Sequence, residues 1–185
     1  MVEKIDLYKN ARLTLIEIRY LWSIGNSYTQ AVSSLQDTSS NNFVSIELLS
    51  SQALEILLKS YLGSEVCIKN KEKDSKHLKL IIDKMFRGFG HNLEKLLDKD
   101  VFFKKGLEIT SIEKINNGFV SDYRIKLENE SILSFKELES VRYGSFAKNP
   151  NIMNGIFPKE NLEFLKKLSE IIYDKITSNI KSLKN

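Results

Sequence analysis

"NFVSIELLSSQALEILLKSYL", Asn42 to Leu62, is the stretch on which the fold turns. Its apolar residues cover most of the circumference of the helix they predict, leaving Glu47, Ser51, Glu55 and Lys59 as one narrow polar stripe at four-residue spacing. A helix apolar nearly all round belongs at the centre of a bundle. Gly63 is expected to end it, because glycine accepts the left-handed conformation that a helix C-terminus often needs.

Helices are also predicted on either side. Glu3 to about Leu35 reads as a long helix with Ile5, Tyr8, Leu15, Ile18 and Trp22 on one face, broken near Gly25, and Ser34 to Asn42 reads as a connector. The polar run Lys69 to Lys76 predicts a solvated loop, and "HLKLIIDKMF" from His77 a short helix with His77 exposed near its start. The last helix is the clearest: Leu162, Leu165, Leu168, Ile172, Ile176, Ile180 and Leu183 recur at three- and four-residue steps. Pro158 and Glu160 suit its first turn.

Between these lie weaker signals. Thr110-x-x-Glu113 and Ser134-x-x-Glu137 read as capping boxes that open two further helices, the second closed by Gly144. Phe119 to Ser131 reads as one short helix, and Val101 to Phe103 is the best short strand candidate. The expectation is an all-α, up-and-down bundle of four to five main helices plus short ones, with residues 1–185 as a single domain.

Composition narrows the function. Hydrophobic residues make up 42% and charged residues 28% of 185, with only 8 Gly and 2 Pro, so the chain is rich in regular structure and able to bury a core. The net charge of +4 permits an anionic partner such as RNA without requiring one. The acids Glu3 and Asp6 interrupt anything like a signal peptide, and no apolar run is long enough to span a membrane, so a cytoplasmic protein without membrane contact is expected. Cys67 is the only cysteine, which excludes an intrachain disulfide and a thiolate zinc cage; it reads as a small, semi-buried hydrophobe. With two histidines and no H-E-x-x-H, Gly-rich phosphate loop or G-x-S-x-G elbow, neither a metal nor another cofactor is expected.

What remains is a small constellation: Arg87, His91, Asn92, Arg142 and Tyr143. Gly88 and Gly90 favour a loop around Arg87 and His91, with Asn92 as the N-cap of "LEKLL". Arg142 suits a last helical turn, where a cation meets the negative end of the helix dipole.

Three segments together resemble the HEPN superfamily of helical domains. Ala53, Glu55, Leu58, Lys59 and Leu62 match its A-x-E-x-x-L-K-x-x-L helix, Gly90, His91 and Leu93 its G-H-D-L-like helix start, and Arg142 with Tyr143 its later Arg-Tyr pair; Asn92 stands in place of Asp and Gly144 in place of Pro. The resemblance implies a bundle, often dimeric, that serves nucleotide or RNA transactions beside a nucleotidyltransferase or in toxin-antitoxin and antiviral defence systems. A catalytic branch comprises metal-independent endoribonucleases marked by an Arg and a His with four to six residues between them; Arg87 and His91 have three.

The chemistry behind that signature is simple. Metal-free RNA cleavage needs a base for the 2′-hydroxyl, which histidine supplies, and a fixed cation for the charged phosphorane, which arginine supplies. The leading expectation is a non-catalytic accessory or defence protein that binds a nucleotide, RNA or a protein partner, as a homodimer, with Asn92 and Tyr143 at the ligand. The enzyme alternative uses His91 with Arg87 or Arg142, and a third reading is a helical interaction scaffold.

Overall fold

The computed structural model describes residues 2–36, 43–92, 95–96, 107–116, 121–136 and 158–183. In chain order they form α1 (Val2–Gln36), α2 (Phe43–Lys69), α3 (Ser75–Phe89), β1 (Ile109–Asn116), β2 (Ser121–Leu127), β3 (Ile132–Lys136) and α4 (Lys159–Ser182). The chain is mostly helical, but all-α is incomplete as a description: β1, β2 and β3 make an antiparallel sheet in that order.

α2 is central, packed on α1, α3, α4 and β3. Ala53, Leu54, Leu57, Leu58 and Tyr61 are buried on it, against Ala11, Leu15 and Ile18 of α1 and Leu165, Leu168, Ile172 and Ile176 of α4. α1 and α4 run antiparallel, since Arg19 Nη2 donates to the Tyr173 hydroxyl at 3.0 Å while Trp22 Nε1 donates to the Ser169 carbonyl at 2.9 Å.

Two glycines act differently from expectation. α1 runs unbroken through Gly25, because a Cβ there would lie 2.9 Å from Leu57 Cγ and its absence lets α2 approach. α2 continues past Gly63 to Lys69, since at that position the missing Cβ makes room for Phe86 of α3, 3.2 Å from where it would stand. Both glycines serve packing, which outweighs their low helix propensity.

The sheet lies where three helices are predicted to start or run. Thr110 and Glu113 lie in β1, with Thr110 at an irregular register step between Ile109 and Ser111, so the apparent capping box caps nothing. Residues 121 to 127 of the predicted short helix form β2, where buried Tyr123 and Ile125 flank exposed Arg124. Ser134 belongs to β3, between buried Leu133 and Phe135. These four buried side chains join the same core as the helices. Val101 to Phe103, Glu137 and Gly144 lie outside the described residues.

β3 is one of the two outer strands, and two carbonyls on its outward edge are bonded from two helices. Ser51 Oγ of α2 donates to the Lys136 carbonyl at 2.7 Å, and Asn161 Nδ2 of α4 donates to the Ser134 carbonyl at 2.6 Å. Carbonyls two residues apart point the same way along a strand, so one row of acceptors meets two helical donors. Among the described residues, no helix is long and apolar enough to cross a membrane.

Candidate functional site

The polar stripe of α2 faces inward. Glu47, Ser51 and Glu55 are each at most 5% exposed, and the Lys59 side chain only 16%. Helical residues four apart share a face, so one stripe can meet partners along its whole length. At its N-terminal end those partners come from the sheet, and at its C-terminal end from His91.

The segment that delivers His91 is partly as expected. α3 starts with Asp74 as N-cap: its Oδ1 accepts from the His77 amide at 3.0 Å and its Oδ2 pairs with the His77 ring. These bonds, led by the one from the His77 amide, hold the Asp74 carboxyl below the usual carboxylate range. His77 stays exposed. α3 then extends through Gly88 to Phe89, placing Arg87 in its last helical turn and not in a loop; Gly90, at φ 54°, ends it. Asn92 opens the next turn, its Oδ1 accepting from the Lys95 amide at 2.9 Å, as an N-cap does.

Between these two turns His91 is held against α2. Its Nδ1 lies 2.9 and 3.0 Å from the Glu55 carboxylate oxygens, and Lys59 Nζ lies 2.7 Å from Oε1 of the same group. Nδ1–H therefore donates to Glu55, which fixes the tautomer and leaves Nε2 as the basic nitrogen. The Glu55 side chain is 7% exposed and the His91 side chain 38%, so a buried carboxylate orients a ring that solvent can reach. Such a ring can accept a proton or bind an acidic group at Nε2.

Of the residues singled out from sequence, this arrangement unites His91 with Glu55 and Lys59 and leaves Asn92 beside them as a cap. The described hydrogen bonds of the His91 ring go to Glu55, while Arg87 is exposed on α3. Arg142 and Tyr143 lie outside the described residues. Glu55 and Lys59 were visible only as members of a stripe and a motif; their signal is polar residues at four-residue steps on a helix otherwise suited to a core.

Two other features bound the chemistry. Cys67 is fully buried, donates its S–H to the Ala11 carbonyl at 3.3 Å, and is pushed up to about 12 by burial, so it is no nucleophile. Among the described residues no group of three His, Cys, Asp or Glu side chains could hold a metal. A groove of about 640 Å³ lies apart from His91, between α1 and α4; Trp22 and Tyr173, with ring centroids 4.8 Å apart, line it beside Asn26 and Ser169.

No family model matches this chain, and comparison with curated proteins and with solved structures likewise gives no match.

Proposed function

We propose that the chain is a HEPN-like helical protein that binds a phosphate-bearing ligand, RNA or a nucleotide, at the exposed edge of His91, as an accessory or defence component without catalysis of its own. One observation carries the reading: Glu55 and Lys59 from the first matched segment meet His91 from the second, although 36 residues separate Glu55 from His91. Residues that resemble a family's motif by order alone have no reason to touch.

In this reading catalysis is lacking because of how charge is placed among the described residues. A phosphorane needs a fixed cation beside the base. Lys59 is spent on Glu55, and Arg87 is exposed on the last turn of α3. In this reading the protein works as a homodimer or with a partner of the nucleotidyltransferase or antitoxin kind, to which the bound ligand is presented.

The test is salt-dependent binding of a labelled single-stranded RNA in EDTA, run beside His91→Ala, in which Lys59 still neutralises Glu55. The expected result is intact RNA, with binding weakened several-fold in the variant at nearly unchanged melting temperature. Binding that ignores the variant, or no binding, would overturn the proposal. The oriented imidazole favours one second reading, a metal-independent endoribonuclease; cleavage in EDTA that disappears in His91→Ala would decide for it.

A further inference from the structure

The other end of the α2 stripe takes no part in the His91 site, and its charges do not balance. Glu47 is 5% exposed and Asp122 of β2 6%, while the Lys136 side chain of β3 is 19% exposed. Lys136 Nζ is already paired with Asp122 Oδ1 at 2.7 Å. Among the charged groups described around Glu47, that leaves one ammonium to two buried carboxyl groups. Among the described residues, Glu47 Oε2 has no hydrogen-bond partner.

The charged groups acting on Glu47 come from the sheet, Lys136 attracting and Asp122 repelling its negative form. The surroundings contributed by α1 and α4 near its neighbour Ile46 are the apolar Val32 and Leu162. A buried carboxylate with an oxygen left without a partner is costly to keep ionised, so the group escapes that cost by taking a proton. Desolvation does push the Glu47 carboxyl up, to about 7.

We infer that Glu47 is a proton-operated latch between the helices and the sheet: with its proton on, β2 and β3 sit neutral against α2, and with its proton off, the seat carries an unbalanced negative charge and loosens. The place of the group makes the effect local. One turn along α2, Ser51 donates to the Lys136 carbonyl, so the residue that faces Glu47 is also one the edge is tied by.

The direction with pH follows from linkage. Below about 4.5, the ordinary value, the group is protonated whether the chain is folded or not. From there to about 7 only the folded state keeps the proton, so stability falls as pH rises; above 7 both states are ionised and the loss levels off. Across that window the folding equilibrium constant drops by up to about tenfold per pH unit from this group.

The experiment is thermal melting of the full chain from about pH 5, inside the range where stability falls, to about pH 8.5, past its end, for the wild type, Glu47→Gln and Asp122→Asn. Groups common to all three chains cancel in the differences. The wild-type melting temperature should fall with pH relative to Glu47→Gln. Asp122→Asn should flatten the fall as well, because one carboxylate then balances one ammonium. Hydrogen exchange, corrected for its intrinsic pH dependence, should speed up in β2 and β3 of the wild type while α1 and α4 hold. Parallel melting curves for the wild type and Glu47→Gln would overturn the latch, as would exchange that accelerates equally in sheet and helices.

Discussion

α2 and α4 both carry stripes with helical spacing, and the stripes do opposite things. On α4 the regular residues are apolar, Leu165, Leu168, Ile172 and Ile176, and they enter the core while exposed Lys166, Lys167 and Glu170 face water. On α2 the regular residues are polar, and they too are buried, because the apolar ones already occupy the other directions around the helix. A polar stripe on such a helix does not find solvent. It finds a second layer of structure, here β3, which meets Ser51 at one end, and His91, which meets Glu55 at the other.

The sharpest test of this contrast is to damage each stripe in turn. Ile172→Ala removes a fully buried side chain from α4 and should cost about 2–5 kcal/mol in urea unfolding. Glu55→Gln keeps the shape of the polar stripe but gives up its charge-assisted bonds to His91 and Lys59, and should cost about 1.5–3 kcal/mol. It should also release the His91 ring, seen as changed imidazole chemical shifts and line widths by NMR at fixed pH. If Glu55→Gln left those signals unmoved, the α2 stripe would be mere filling. At the small end, Lys79→Ala breaks the exposed 2.8 Å pair with Glu17 and should change stability by less than about 1 kcal/mol. A larger loss there would mean that α3 is fastened to α1 by charge and not by its buried Leu78 and Ile82.

The same contrast explains what could be read from the chain beforehand. α1, α2, α3 and α4 show in the 3.6-residue period because each has a face to bury over many turns. The sheet was harder. Thr110 and Glu113 have the spacing of a capping box, and local chemistry of that kind cannot tell a helix start from a strand. The strand signal was nevertheless present: Tyr123, Ile125 and Leu127 alternate with Asp122, Arg124 and Lys126, and Asn117-Gly118 precedes them. Strand alternation extends over few residues, so it is easily outvoted by two matching polar residues.

For the site, His91 and its N-cap neighbour Asn92 were legible because glycines and helix-start residues stand out. The partner of His91 was not legible as such. Glu55 sits 36 positions earlier on another helix, and nothing in spacing alone states that a stripe residue will be met by a loop residue. Arg87 looked like a companion through nearness in sequence. In space its helical turn carries it to the surface, while the ring that follows Gly90 turns toward α2.

The covered edge of β3 bears on self-association. On that edge the carbonyls of Ser134 and Lys136 are already bonded to Asn161 and Ser51, so a newcomer strand finds these two acceptors taken. Propagation into a fibre through the sheet needs two open edges on every unit, each offering its own N–H donors and carbonyl acceptors. With two acceptors of one edge taken by helices, strand-to-strand joining of this protein through its sheet is biased toward a pair and away from a fibre.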